Sequence, residues 1–330
     1  MNRFKEDEIV QDDRAQPAGD GIDRRNFLGC MAWAGTGLLW TMAGGVPTSK
    51  LLAQSAKSGT GLGKTEDFSF VQISDSHIGF NKGANPDVTG TLQKAIDKIN
   101  FVPGIKAPDF MIHTGDITQN SKASEFDTAA QVIKSVNVGE VFYVPGEHDF
   151  SLDDGALYLQ RFGKGTIGSG WYSYNHKGVH FVGLNNCVEV DAMGNLGAQQ
   201  LAWLKSDLAG LSASTPIVVF AHIPLWMVYE KWGWGTSDGA QALALLKRFG
   251  SVTVLNGHIH QVVQKVEGNV AFHTAMSTAF PQPAPGAAPN PGPMAVPPDK
   301  LQSVLGVTNV KFVRGHSHLA VVDHTLAEGA

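Results

Sequence analysis

Cysteine is almost missing from this chain: Cys30 and Cys187 are the two in 330 residues. So few exclude a disulfide framework and a thiolate-rich zinc site. Charge is sparse as well, at 17 % of residues, and there is no basic excess, the formal net charge being −5. Nothing is therefore available to displace counterions along a polyphosphate backbone, and no stable nucleic-acid complex is expected. A small phosphate-bearing substrate remains compatible with that balance. Residues 27–46 carry no charge but are diluted by Gly29, Gly35, Gly37, Gly44 and Gly45. Twenty apolar residues can cross a bilayer as a helix, but five glycines weaken it. What the chain does have is a hydrophobic fraction of 43 %, enough for a real core in one large domain or two small ones. It also has twelve histidines, and their placement directs the rest of the reading.

Ahead of the apolar run stands Arg24-Arg25-Asn26-Phe27-Leu28. Paired arginines before a weakly apolar segment resemble the twin-arginine (Tat) export signal. Ala53 and Ser55 offer small residues for cleavage. Residues 1–55 are thus expected to be a signal peptide read by the Tat export machinery. The expected destination is the periplasm or beyond, with a membrane anchor through the uncleaved run as the alternative. The chain after Ser55 would hold Cys187 alone, with 19 basic and 23 acidic residues. It could form no intramolecular disulfide, in keeping with folding before export.

Beyond that point strand and helix alternate. Strand-like runs fall at 68–74, 109–113, 140–144, 216–221 and 252–255, and helical apolar spacing at 86–100, 121–136, 197–209 and 239–249. Residues 171–176 and 179–185, split by Lys177-Gly178, read as a hairpin, as do 262–266 and 270–274. The pattern predicts an α/β layered domain whose sheets are covered by helices. Residues 56–280 are assigned to it. Residues 281–298 hold 8 of the 16 prolines and can form neither helix nor central strand, so 281–330 is read as a proline-rich loop or flap followed by two short strands on the same domain.

Five strand-like runs end in metal-type side chains. These are Asp75-Ser76-His77, Gly115-Asp116, Gly146-Glu147-His148-Asp149, His222 and Gly257-His258-Ile259-His260. Ligands of open α/β folds gather at the carboxyl ends of strands, so the five can converge. Imidazoles and carboxylates without thiolates suit Zn, Fe, Mn or Co. Glycines next to Asp116, Glu147 and His258 permit sharp turns close to an ion.

In this order the segments resemble the calcineurin-like metallophosphoesterases, over about residues 68–273. The resemblance implies a four-layer α-β-β-α sandwich and a two-metal phosphoester hydrolase, with a water activated between the ions as nucleophile. It places Asp75, His77, Asp116 and His260 around one ion, and Asp116, Glu147, His222 and His258 around the other, with Asp116 bridging. His148 matches the family's histidine that protonates the leaving oxygen or stabilises the phosphoryl group, and Asp149 is expected to orient it. The arginine-bearing continuation of the Ser/Thr protein phosphatases is absent, replaced by Ile117-Thr118-Gln119-Asn120. Glu147 stands where the family usually has asparagine. Three carboxylates with two divalent ions leave the site at +1 rather than +2. That favours diesters over monoesters, or a mixed Fe(III)/divalent pair over two divalent Mn, Fe or Zn ions. A catalytically weak metal-binding envelope protein on the same fold is the competing reading.

The remaining candidates divide. His113 reads as a satisfied buried imidazole, His176, His180 and His324 as structural or solvated, and His316 and His318 as a surface turn. His273 could line the pocket. Cys187 reads as a small buried apolar residue. Trp226, Tyr229, Trp232 and Trp234 follow His222 and read either as a packed loop or as a pocket lip for a flat group. The proline-rich stretch could close the same pocket from the opposite side.

Overall fold

The computed structural model describes residues 38–43, 46–51, 66–101, 107–188, 193–316 and 319–327. The chain divides into two units, Met1–Ala56 and Lys57–Ala330. In the first, β1 (Leu38–Ala43) and β2 (Val46–Leu51) pair antiparallel. Of the charge-free run, Leu38–Ala43 and Val46 lie in these strands, and the rest of it lies outside the described residues. Arg24, Arg25 and the cleavage residues Ala53 and Ser55 lie outside the described residues. No helix among the described residues is long and apolar enough to cross a membrane.

The second unit begins with β3 (Phe68–Ile73), α1 (Val88–Phe101), β4 (Phe110–His113), α2 (Ala123–Ile133), β5 (Val141–Tyr143) and α3 (Ala156–Phe162). The hairpin β6 (Tyr172–His176) and β7 (Val179–Gly183) follows, then α4 (Gly197–Ala209), β8 (Ile217–Phe220), α5 (Gly239–Leu246) and β9 (Val252–Asn256). A second hairpin of β10 (Gln264–Glu267) and β11 (Val270–Thr274) precedes β12 (Gly306–Phe312) and β13 (Ala320–Thr325). Helix α3 has no counterpart in the sequence reading. Lys177 and Gly178 both take positive φ, the conformation a two-residue hairpin turn requires.

Two sheets result, ordered β13-β12-β3-β4-β5 and β10-β11-β9-β8-β7-β6. The central strands β3, β4 and β5 run parallel, as do β7, β8, β9 and β11. Parallel strands are buried on both faces, and side-chain alternation assigns each residue to a layer. Phe68, Phe70, Phe110 and Ile112 meet Phe181, Val218, Phe220 and Leu255 between the sheets. Val71, Ile73 and Met111 face outward against Leu92, Ile96, Phe126 and Ile133 of α1 and α2. Val182, Val219 and Val254 face Leu204, Leu208 and Leu246 of α4 and α5. Each fully buried phenylalanine contributes about 1.5–3 kcal/mol through lost water contact. The layers are thus helix, sheet, sheet and helix.

Polar links tie the sheets together. Asp109, just before β4, accepts from His176 at 2.9 Å and from Lys177, both at the turn of the β6–β7 hairpin. His273 of β11 meets Asp323 of β13 at 3.0 Å. The buried Gln72 of β3 donates to the carbonyl of Asn256 in β9 at 3.1 Å.

Candidate metal centre

The parallel strands of both sheets deliver their carboxyl ends to one place. Asp75 and His77 follow β3, Asp116 follows β4, Glu147 follows β5, His222 follows β8, and His258 and His260 follow β9. Five of these seven sit at positive φ: Asp75 at 54°, His77 at 42°, Asp116 at 52°, His258 at 69° and His260 at 53°. A non-glycine residue held there costs of order 1–3 kcal/mol and persists only where its surroundings impose it. Gly115, at φ 93°, shows how tight the packing is: a Cβ there would lie 2.7 Å from His222 Nδ1. A Cβ on Gly257 would come within 2.7 Å of Asp75 Oδ2.

The side chains form two adjoining clusters. In the first, His260 Nε2 lies 3.3 Å from Asp75 Oδ1 and 3.2 Å from His77 Nε2. In the second, Glu147 reaches both imidazoles, Oε2 lying 2.9 Å from His222 Nε2 and Oε1 2.9 Å from His258 Nδ1. Asp116 Oδ2 stands between them, 3.4 Å from His77 Nε2 and 3.4 Å from His222 Nε2. Asp75, His77 and His260 form one group whose ligand atoms lie within 4.8 Å of one another, and Glu147, His222 and His258 form another.

The orientation of these groups fits a cation. Glu147 Oε2, His222 Nε2 and His258 Nδ1 are buried without a hydrogen-bond partner, although only 2.9 Å separates neighbours. Atoms that close yet not aligned on one another point to a shared centre. Backbone carbonyls fix the ring tautomers: His222 Nδ1 donates to Thr114 O at 2.7 Å and His260 Nδ1 to Phe280 O at 2.6 Å. Each leaves an Nε2 lone pair facing the cluster, the usual arrangement behind a metal-ligating histidine. Asp75 is held in turn by the backbone N–H of His258 at 3.1 Å. Asp116 Oδ1 accepts from the backbone N–H of His148 at 3.0 Å, which leaves Oδ2 for the clusters.

The electrostatics agree. Burial pushes Asp75 up, but His260, His222 and His77 overcome it and hold the carboxyl below its ordinary value. Burial pushes His222 down, and Asp116 and Glu147 outweigh it, raising the ring well above its usual range. Burial drives His77 down to about 3, with Asp116 only partly offsetting it. Asp75 and Asp116 are almost fully buried with histidines as their ion-pair partners. A buried carboxylate cluster of this kind calls for positive charge.

The model of the calcineurin-like phosphoesterases matches residues 68–262. The chain belongs to that family. It is accordingly a metal-dependent phosphoesterase. A probable glycerophosphodiester phosphodiesterase of Arcobacter nitrofigilis is 26 % identical over 224 residues, 63 % of this chain and 77 % of the relative. A probable cyclic nucleotide phosphodiesterase of Vesicomyosocius okutanii is 25 % identical over 221 residues, 65 % and 88 % of the two chains. Among solved structures, a dimetal phosphatase from Danio rerio superposes with a TM-score of 0.59 at 15 % identity, covering 79 % of this chain and 97 % of that one. That likeness shows the shared fold.

Within this calcineurin-like phosphoesterase the residues around the clusters differ in part from expectation. His148 does line the cleft, but Asp149 does not orient it. Both Asp149 oxygens are taken by the backbone N–H groups of Ile117, Thr118 and Gly146 and by the Thr118 hydroxyl, at 2.9–3.1 Å. Asp149 instead pins the loop after β4 to the loop after β5. Burial and the nearby Asp116 push its carboxyl up to about 6, against those four donors. The ring of His148 is fixed by the carbonyl of Gln119, 2.8 Å from Nδ1. The Gln119 side chain lies close as well, Nε2 being 3.2 Å from the same Nδ1, and sequence reasoning missed the residue because its shorter contact is made by a main-chain oxygen.

The cleft over the clusters has a volume of about 230 Å³ and is lined by Gln119, His148, Trp232, Trp234, Phe280, Gln282 and the residues 291–293, besides the ligands. The aromatic loop divides between its two readings: Trp226 packs in the core against Phe272, while Trp232 and Trp234 line the cleft. His113 is a satisfied buried imidazole, its Nε2 2.8 Å from Ser76 Oγ. His273 does not line the cleft, since its ring is buried against Asp323 of the other sheet. His180 is bound by Asp207 at 2.8 Å. His316 is exposed at a turn, and His318 lies outside the described residues. Cys187 is buried, and burial raises its thiol well above the ordinary value.

Proposed function

We propose that this protein is an exported dinuclear phosphoesterase that hydrolyses diesters in preference to monoesters. The observation that carries the preference is Glu147, whose carboxylate spans His222 and His258 at 2.9 Å from each. With Asp75 and Asp116 it brings the side-chain charge of the pair of clusters to −3. Two divalent cations then leave +1 rather than the +2 a neutral residue at 147 would leave, which halves the electrostatic advantage of a dianionic monoester over a monoanionic diester. The phosphodiesterase names of the two curated relatives point the same way.

Asp75, His77 and His260 would hold one cation and Glu147, His222 and His258 a second, with Asp116 shared, and the pair when bound would supply Lewis acidity to the phosphoryl oxygens and acidify a bound water. The N/O-only donor set suits Mn, Fe or Zn, and its three carboxylates also suit a mixed Fe(III)/divalent pair. The protein's own part is positional. Asp116 offers one oxygen to both clusters while the His148 N–H holds the other. His148, with Nδ1 committed to Gln119, has Nε2 left to hand a proton to the departing alkoxide. Export rests on Arg24-Arg25 before the apolar run and on a chain that keeps Cys187 alone after residue 55.

The test is turnover of bis(p-nitrophenyl) phosphate beside p-nitrophenyl phosphate after reconstitution with Mn(II), Fe or Zn. A larger kcat/KM for the diester is expected. A monoester preference would overturn the substrate assignment, and no turnover with both ions bound would favour a metal-binding envelope protein. N-terminal sequencing of the periplasmic fraction tests export, with a start near residue 56 as the expected result.

A further inference from the structure

Ser121, in the loop after β4, is fully buried and stands at φ 52°. A residue with a Cβ adopts that conformation only at a cost, whereas glycine adopts it freely. Such an outlier persists where its surroundings impose it, and the partners of the hydroxyl show what imposes this one. They belong to the short helical turn that carries His148. Its first two steps close in the ordinary way, the Asp149 N–H donating to Gly146 O at 3.1 Å and the Phe150 N–H to Glu147 O at 3.3 Å. The next step would pair the Ser151 N–H with His148 O. Ser121 Oγ stands between these two groups, accepting from the Ser151 N–H at 3.1 Å and donating to His148 O at 2.6 Å.

The same loop holds His148 at two further points. The His148 N–H donates to Asp116 Oδ1 at 3.0 Å, and its ring Nδ1 meets the carbonyl of Gln119 at 2.8 Å. Residues 116–121 thus grip the amide, the carbonyl and the imidazole of one residue. Of the three grips, the first uses a residue of the metal clusters and the second a main-chain oxygen. Ser121 holds the carbonyl through a side chain that is neither. Ser151 Oγ adds a contact of 3.2 Å to that carbonyl and lies 3.1 Å from Ser121 Oγ, but Ser151 is exposed. The backbone of Ser121 is itself anchored, its N–H donating to Thr118 Oγ1 at 3.2 Å.

We propose that Ser121 is a positioning residue for His148: by inserting between His148 O and the Ser151 N–H, its hydroxyl keeps the turn from winding further and holds the imidazole over the clusters. A side chain inserted into a helical hydrogen-bond series redirects the chain at that point. Without the hydroxyl, the Ser151 N–H is free to close on His148 O, which rotates the peptide that carries the ring away from Gln119. This rests on the phosphoesterase reading above, in which His148 serves the departing oxygen, and adds the group that sets its aim. A glycine at 121 would relieve the backbone but leave the turn free to close.

The test is a double-mutant cycle between Ser121→Gly and His148→Ala in the metal-loaded protein, read on a diester with an alkyl leaving group and on bis(p-nitrophenyl) phosphate. Ser121→Gly should lower kcat on the alkyl diester by about 10-fold or more, with KM moving less and with a smaller loss on the nitrophenyl diester. In the His148→Ala background it should cost less than about 2-fold, because the effect runs through that ring. Ser121→Ala removes the hydroxyl without relaxing φ, and should lose as much kcat as Ser121→Gly whatever the two Tm values. Full turnover in Ser121→Gly, an undiminished loss in the His148→Ala background, or losses that follow Tm across the two variants would overturn the proposal. The proton on His148 Nδ1, bonded to Gln119 O, gives a readout without turnover in the Zn-loaded protein. A slowly exchanging NMR signal from it that is lost in Ser121→Gly supports the proposal, and one retained there refutes it. If no diester is turned over, or His148→Ala turns over as the wild type does, the functional reading fails and this signal alone decides the placement of the ring.

Discussion

Replacing Glu147 by glutamine would remove one negative charge from the centre while keeping the side-chain length that lets residue 147 reach both His222 and His258. With two divalent cations the net charge rises from +1 to +2. Near neutral pH a monoester carries about one more negative charge than a diester. At about 5 Å and an effective dielectric of about 20, one pair of unit charges interacts by roughly 3 kcal/mol. Glu147 is 28 % exposed, so water screens part of this, and about 1.5 kcal/mol is a reasonable remainder. The monoester-to-diester ratio of kcat/KM should therefore rise about 10-fold in Glu147→Gln. Glu147→Asn shortens the stem as well, and separates a charge effect from a reach effect. Parallel kinetics on p-nitrophenyl phosphate and bis(p-nitrophenyl) phosphate, with bound metal measured in each sample, provide the assay. An unchanged ratio with both ions present would refute the electrostatic argument, because no other consequence of the substitution acts on substrate charge.

Four further outcomes follow from the geometry. Asp116→Asn should halve the bound metal and lower kcat by about 100-fold or more, as elemental analysis and turnover would show, since Oδ2 is the oxygen common to both clusters. His148→Ala should lower kcat about 100-fold or more for a diester with an alkyl leaving group, and much less for p-nitrophenol, which leaves without a proton; equal losses on both would remove the acid role. Chelation should lower Tm by several degrees, because the strained turns at Asp75, His77, Asp116, His258 and His260 lose the ions that their side chains hold, and an unchanged Tm would count against that coupling. Asp109 should make stability fall in acid: burial raises its carboxyl, but hydrogen bonds from Lys177 and His176 overcome this and place it below the ordinary value. Its stabilisation is complete above the unfolded carboxylate value near pH 4 and is lost as pH falls through the lower folded value. Asp109→Asn should cost about 1–2 kcal/mol at pH 7 and flatten the acid limb of a Tm–pH curve.

Much of the centre was legible because its chemistry is local in sequence. Each ligand lies within a few residues of an apolar run, and a parallel strand buried on both faces writes such a run plainly, as in Phe68–Ile73 and Val252–Asn256. The topology then does what sequence spacing alone cannot, since it brings Asp75 and His260, 185 positions apart, to 3.3 Å. What stayed hidden acts through the main chain or through distant pairing. The carbonyl of Gln119 that orients His148 has no side-chain signature. Asp149 sits beside His148 in sequence, yet the short helical turn Glu147–Asp149 aims the two side chains apart, one to the cleft and one to the backbone of Ile117 and Thr118. His273 was ambiguous because its partner, Asp323, lies 50 residues away on the other sheet.

Neighbours in one tripeptide differ in role because of the turn they share. Glu147, His148 and Asp149 leave β5 on a single tight turn, so their side chains must diverge into the metal cluster, the cleft and the interior. Asp149 carries the cost of that geometry: it takes a buried carboxylate and four donors to hold the turn against the loop of Asp116. Asp116 in turn is fixed by the N–H of His148. Asp116 Oδ2, the His148 ring and the Glu147 carboxylate are therefore placed by one interlocked pair of loops. A substitution at Asp149 is expected to disturb all three at once, through metal affinity, turnover and stability together, rather than through the protonation of His148 alone.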